Sequence, residues 1–581
     1  MFCDKCGKQL PDGALFCDGD GCGAKIAPAA QAPAAQAPAA APADPAAAPA
    51  AAPAAPAAAP REKKPLNKKG LLGLAAVAAA VIVVVLAIVL IAGAGGGKAP
   101  LLYFTGEDLV YSSGKAGDGK TALEGVISSD LRYEAGDAGS AALQMTYNMS
   151  LTHDGKTLVY LADYDSSDTS FTLFTVPVKA LKKGSAEGTK IASGVNRFIM
   201  AEEADVLFYE KSGKLYRYDF KGDPEVIAKD IGGFYYASYA ISPDGGAVAY
   251  LKEADDWYDL YVYTAKSGES EKIDSDVALV YDYDAANGFK AMVYSKYADD
   301  GYNEDIYVAG VGTEKEKLVS GAYSVLDAAH DGYVFYATGD DEGALYRLDV
   351  KSGEKEKLSE DYDYSFYTNA SSGVIGYMTY DYDTYDSVCY VSVPGATKEF
   401  DEYVSRCTLS ADGKTLYTIE CGEGDSEGTL CSYSVGKDGL GERKKIAEDV
   451  YGQVLYFENG YIVYATDFSD RDYSATVYAL KGKTPVKLGD DVRCYSDTSY
   501  GDDGLVFFAD CSENDGTLYI FDGKKATKVA ADVLCYNFVE LGGKLYFLAD
   551  YDDDDGGTLC CWNGKSKEKL ANDVLAIVPL S

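Results

Sequence analysis

The chain has 581 residues, 47% of them hydrophobic and 25% charged, enough apolar material for several domains with cores of their own. The formal net charge is −38, unevenly spread: residues 1–98 hold nine Lys and Arg against six Asp and Glu, and the rest hold 44 against 85. So polyanionic a region excludes nucleic acid and anionic headgroups as partners and favours cations and basic proteins, and with only His153 and His330 available most histidine-based catalysis is excluded as well.

The chain begins with Cys3-Asp-Lys-Cys6 and, ten residues on, Cys17-Asp-Gly-Asp-Gly-Cys22. Two close cysteine pairs bring four thiolates together, and Zn2+ takes four soft ligands in a tetrahedron. Residues 1–26 are too few to bury a core, so metal binding would supply the folding energy. Two disulfides are the other reading, disfavoured by the cytoplasmic placement argued below. The segment resembles the short N-terminal zinc ribbons of many bacterial membrane proteins, through Phe2-Cys3, Cys6-Gly7, Phe16-Cys17 and Cys22-Gly23. It departs from them in having four residues, not two, between Cys17 and Cys22. The expected ligands are Cys3, Cys6, Cys17 and Cys22, on one Zn2+.

Residues 27–60 are Ala and Pro apart from Gln31, Gln36 and Asp44. Recurrent proline forbids a stable helix and predicts an extended, partly polyproline II spacer, which with its basic flank occupies 27–69. Arg61, Lys63, Lys64, Lys68 and Lys69 precede an uncharged apolar run from Leu71 to Ala94. About 20 such residues span a bilayer, so residues 70–94 are predicted to form one transmembrane helix. The cations in front of it place the N-terminus in the cytoplasm and everything beyond outside. A retained signal anchor is preferred to a cleaved signal peptide, because the run exceeds the usual apolar length and a metal-binding domain precedes it.

From about residue 100 the sequence repeats. One unit holds Ile241-Ser-Pro-Asp-Gly245, the strand Ala247–Leu251, an acidic turn, the strand Asp259–Tyr263, a Ser-Gly turn and Glu271-Lys-Ile273. The third strand marks each copy, at Leu173, Leu215, Leu260, Ile306, Leu345, Cys389, Leu430, Val477, Leu518 and Leu559, with Leu109 as an eleventh. Thr152-His-Asp-Gly155 and Ser410-Ala-Asp-Gly413 repeat the Ser-Pro-Asp-Gly turn. The units resemble the repeats of TolB-like propellers. That resemblance implies an all-β fold of about 10–11 four-stranded blades. Because rings usually hold four to eight blades, two tandem rings are expected, over 100–325 and 326–581.

The turn between second and third strands is acidic in most copies: Asp163, Asp165 and Asp168; Asp255 and Asp256; Asp299 and Asp300; Asp340, Asp341 and Glu342; Asp381, Asp383 and Asp386; Asp467, Asp470 and Asp472; Asp550 with Asp552 to Asp555. Equivalent turns share one face of a propeller. Hard carboxylate oxygens there suit Ca2+, although no turn has the complete EF-hand spacing, and Asp beside the many Tyr (49 in the chain) suits sugars. The competing reading is that Asp and Gly simply make good turns and block edge pairing. Cys421 and Cys431 flank one such turn and are candidates for a cross-strand disulfide, while Cys494 and Cys535 read as equivalent core thiols. No Ser/His/Asp or Cys/His set is discernible, so no catalytic residue is assigned. His153 and His330 read as turn residues. The leading expectation is a membrane-anchored, extracytoplasmic binding or scaffold protein with a cytoplasmic zinc ribbon that meets a partner. The alternative is an extracytoplasmic carboxylate-based hydrolase or lyase.

Overall fold

Short runs of β-branched and aromatic residues, broken by Asp, Gly and Ser, dictate short antiparallel strands joined by tight turns. The computed structural model describes residues 100–580 apart from 232–238, 255–256, 299–300, 340–342, 382–385, 423, 437–438, 470, 472–473, 494–497, 502–503 and 513. The expected ribbon, spacer and transmembrane helix lie outside the described residues. Among the described residues no helix is long and apolar enough to cross a membrane. All described residues belong to one compact unit, Val84–Ser581.

These residues form four-stranded antiparallel blades. Five are separate sheets. The seven-stranded sheet is two blades sharing the long strand Lys355–Asn369, and the fifteen-stranded sheet is four blades linked through Lys444–Glu458, Ala526–Leu541 and a single Val492–Ala509 pair. In the long strands the outermost strand of one blade runs on as the innermost strand of the next. That makes eleven blades. The first is completed from the far end of the chain, where Ala576–Ile577 pairs with Leu101–Thr105.

Each blade packs its apolar face on the next, and a buried cluster fills each junction, one of them spanning the first three blades. Phe208, Leu215, Tyr239 and Val248 join two blades, and Val293, Ile306, Val334 and Tyr336 join two others. The last blade packs on the first through Leu534, Leu548, Leu559, Leu101 and Tyr103. Among the described residues no break in the packing marks the expected division into two rings near residue 325. The cluster around Val293 and Val334 runs straight across that position, and the blades form one closed circuit. Two rings would instead require the blade ending at Ala322 to close on the first.

The marker residues of the repeat all lie on third strands and are at most 3% exposed, Leu109 included. At nearly every one of them the pairing with the fourth strand slips by a bulge. Opposite the bulge the fourth strand in several blades holds a residue at positive φ just before a fully buried Val. Asp276, Asp449, Asp491, Asp532 and Asp573 occupy this position with φ of 52–57°, each followed by a buried Val. Asp tolerates the left-handed region better than most side chains, and a bulge adds the twist a blade needs.

Tyrosine has an equally regular role. Tyr209–Tyr216, Tyr250–Tyr261, Tyr294–Tyr307, Tyr336–Tyr346, Tyr377–Tyr390 and Tyr464–Tyr478 are directly opposed pairs on second and third strands. Their rings stack with centroids 4.8–5.8 Å apart. The next position outward is often Lys: Lys272 lies 6.0 Å over Tyr261, and Lys317 lies 5.3 Å over Tyr307. Such aromatic and cation–π contacts add about 0.5–1.5 kcal/mol each beyond burial.

The irregular stretch after Leu123 is a two-helix insert, Ser129–Ala135 and Ala138–Thr146. Ser128 and Asp137 cap the helices by accepting the amides of Leu131 and Ser140. Leu131, Ala141, Ala142 and Met145 then bury against the first two blades.

Candidate functional site

The Thr/Ser-x-Asp-Gly turns join first to second strands and share the same three bonds. In Ser242–Gly245 the Ser hydroxyl donates to Asp244 at 2.6 Å, Asp244 accepts the Gly246 amide at 2.9 Å, and the Ala247 amide returns to Ser242 Oγ. Thr152–Gly155 and Ser410–Gly413 repeat the pattern. The glycine has φ of 62–67° in all three, a conformation open to it because it lacks Cβ. The hydroxyl and amide donors hold Asp244 and Asp412 below the usual carboxylate range, and for Asp154 the bonds from Lys156 and Thr152 outweigh its burial. The signature turn is thus a structural device.

His153 sits in such a turn and bonds the Glu202 carbonyl at 2.8 Å. His330 is placed more pointedly, between Asp282 (2.8 Å from Nδ1) and Asp284 (3.0 Å from Nε2) of the preceding blade. Burial disfavours its imidazolium, but Asp282, Asp284 and Asp331 outweigh that and raise its pKa. It is an inter-blade clamp, a role its sequence neighbourhood did not signal.

Of the acidic second-to-third-strand turns, those at 255–256, 299–300 and 340–342 lie outside the described residues. Asp163, Asp467 and Asp550 sit at φ of 50–53° and shape their own turns. Asp165 accepts the amide and hydroxyl of Ser167, and Asp552 accepts the amides of Asp554 and Asp555. Much of this acidity therefore serves turn geometry, and among the described residues no group of three or more His, Cys, Asp or Glu is placed to hold a metal ion.

One acidic region differs. The Asp550–Asp555 turn of the last blade is held by the insert, where the Gly139 amide donates to the Asp553 carbonyl at 2.8 Å and Arg132 approaches Asp554 at 3.9 Å. A Cβ on Gly139 would lie 2.2 Å from the Tyr551 hydroxyl, so the close approach requires glycine. Asp137, Asp515, Asp532 and Asp550 gather around the same seam. Burial first and then neighbouring carboxylates push Asp515 and Asp553 above the usual range. Asp515 Oδ1 is buried with no hydrogen-bond partner. Tyr536, 47% exposed, lies beside them, with its own pKa raised by burial and by Asp553 and Asp515. A separate groove of about 370 Å³ runs between the first two blades, lined by Glu124, Asp163, Glu187, Tyr160 and Phe174.

The candidate Cys421–Cys431 disulfide does not form. Cys431 pairs in register with Thr418, three residues from Cys421, so the two side chains point to opposite faces of the sheet, and both are free. Cys494 and the ribbon ligands Cys3, Cys6, Cys17 and Cys22 lie outside the described residues. Cys535 is buried, as expected of a core thiol, but its sulfur meets that of Cys511.

No protein-family model and no curated protein matches the chain. Solved structures do. A eukaryotic initiation factor is 10% identical, covering 64% of this chain and 95% of its own, with a TM-score of 0.34. TolB from Acinetobacter baumannii is 15% identical, over 50% of this chain and 65% of its own, at 0.21. The β-propeller domain of the trilobed protease from Pyrococcus furiosus, with its open velcro topology, is 15% identical over 49% of this chain and 95% of its own, at 0.24. At these scores the likenesses carry no argument about function, and the propeller-like fold rests on the strand pairing above.

Proposed function

We propose that the chain is a membrane-anchored binding or scaffold protein, with its blades outside the cell and a cytoplasmic zinc ribbon for an inner partner. The anchor, orientation and ribbon rest on the apolar run 71–94, its basic flank and the four cysteines. The binding role rests on the acidic seam, where burial and neighbouring carboxylates, Asp137, Asp532 and Asp550 among them, raise Asp515 and Asp553 beside an exposed tyrosine. Groups held against their own repulsion mark sites where function outweighs stability. The fitting ligand is basic: a cationic peptide or protein surface.

The test is retention of a Lys- and Arg-rich peptide by the full-length chain in detergent. Retention should fall steeply between 50 and 300 mM NaCl and should weaken in Asp515→Asn/Asp553→Asn. Binding indifferent to salt and to those substitutions would remove the seam from the reading. The raised carboxyls of Asp515 and Asp553 also favour a second reading, a carboxylate-based hydrolase or lyase. Glycan turnover abolished by Asp515→Asn would establish that reading in place of the first. For the ribbon, elemental analysis of the purified, reduced chain should find one Zn2+ that is lost in Cys3→Ser/Cys6→Ser.

A further inference from the structure

Cys511 and Cys535 stand apart from the other described cysteines. Their sulfurs are 3.9 Å apart. Cys511 follows the second strand of its blade, and Cys535 begins the inner strand of the next, tied back by its amide to the Asn514 carbonyl at 2.9 Å. Gly516 makes the room. A Cβ there would lie 2.7 Å from Cys511 Sγ and 3.2 Å from Cys535 Sγ, so any side chain would displace one or both sulfurs. The environments also differ. Cys511 is partly exposed, whereas Cys535 is 6% exposed. The contact with Cys535 and the charge of Arg493 lower the Cys511 pKa, against burial and Asp510, while the same contact and burial raise that of Cys535. A partly exposed thiol near the Arg493 charge, in sulfur contact with a buried one, has the placing of an attacking cysteine beside a resolving one.

We infer that Cys511 and Cys535 form a redox-active dithiol site whose co-substrate is a small-molecule or peptide disulfide. The Cys511 thiolate attacks one sulfur of the disulfide. Its S–S bond breaks, one thiolate leaves and takes up a proton, and a mixed disulfide remains on Cys511. The Cys535 thiol then loses its proton and attacks Cys511 Sγ, and the second small thiol leaves with a proton. Two protein thiols become one Cys511–Cys535 disulfide, and one small disulfide becomes two thiols, so atoms and electrons balance.

The experiment equilibrates the full-length chain with oxidised and reduced glutathione at graded ratios, blocks free thiols by rapid alkylation, and maps the peptides by mass spectrometry. Wild type should give a Cys511–Cys535 cross-link whose fraction rises with the oxidised share and reverses on reduction, while Cys389, Cys407, Cys431, Cys560 and Cys561 stay alkylatable only after denaturation. Cys535→Ser should trap glutathione on Cys511, raising its occupancy at least 10-fold over wild type, and Cys511→Ser should leave Cys535 unmodified. Brief alkylation of folded wild type, which needs no substitution, should label Cys511 first. The proposal is overturned if no 511–535 cross-link forms under the most oxidising ratio, if Cys511 pairs instead with Cys494, or if Cys511 in folded wild type labels no faster than the buried thiols.

Discussion

Asp573 sits at φ 54° immediately before Val574, which is fully buried. The left-handed conformation is imposed by the bulge, and a residue with Cβ pays roughly 1–2 kcal/mol for it unless, as with Asp, a short polar side chain offsets part of the cost. Asp573→Ala should therefore lower stability by about 1 kcal/mol, whereas Asp573→Gly should match or exceed wild type. Urea midpoints of the three proteins check this, and equal loss in Gly and Ala would show that the carboxylate, not the backbone, matters. His330 supplies a second residue-scale expectation, with a pH sign. Its folded pKa is raised above 6.5, so the stability it contributes is complete below about pH 6.5 and is lost as pH rises through the higher folded value. His330→Gln should lower the melting midpoint at pH 6 and have little effect at pH 9, by an amount of the order of 1–3 kcal/mol for a charged hydrogen bond. A loss that grows with pH would contradict the clamp.

At the scale of the strand, much was legible. The marker residues spaced 39–47 apart fall on third strands, and all are buried, because a residue on both the bulge and the inter-blade face has to be large and apolar. Leu430→Ala should cost about 2–5 kcal/mol, as for other buried leucines. One element-level reading failed for want of register. Cys421 and Cys431 look adjacent across a turn, but a strand alternates faces with period two, and an odd offset separates them. Composition also does not reveal that many of the tyrosines face one another across strands. The signal was present as a Tyr on the second strand, a Tyr on the third and a Lys on the fourth, recurring from blade to blade. The Asp-Val pair that ends five of the blades was likewise visible and marked the bulge. His330 and Cys511 were not legible, since their partners come from neighbouring blades.

At the scale of the whole ring, closure could not be read from the sequence because every blade junction uses the same residue classes, and the information that selects one circuit sits in the last few residues. Ala576–Ile577 completes the first blade, and Asn537 of the last blade fastens it, donating to the Ile577 carbonyl at 3.0 Å and accepting the Ile577 amide at 2.7 Å. Asn537 is 6% exposed, so Asn537→Ala would strand both backbone groups away from water at about 1–3 kcal/mol each. Limited proteolysis should then release the C-terminal strand before the rest unfolds, and a proteolysis pattern like that of wild type would show that the latch is dispensable. The same closed circuit concentrates charge, since residues 99–581 carry 85 Asp and Glu against 44 Lys and Arg. Spread over many turns, such charges repel mainly through solvent, and at ~0.15 M salt they are screened beyond about 8 Å. The melting midpoint of the full chain should consequently rise as NaCl goes from 10 to 300 mM, with Asp515→Asn less salt-dependent than wild type because it removes a carboxylate that its neighbours already push toward protonation. CaCl2 and MgCl2 at matched ionic strength should then act alike, because Asp552 spends its oxygen on its own turn amides and Arg132 approaches Asp554. A stabilisation by Ca2+ that exceeds Mg2+ and saturates would instead identify a specific oxygen-ligand site on the acidic face, since Mg2+ sheds its water reluctantly and demands a stricter octahedron.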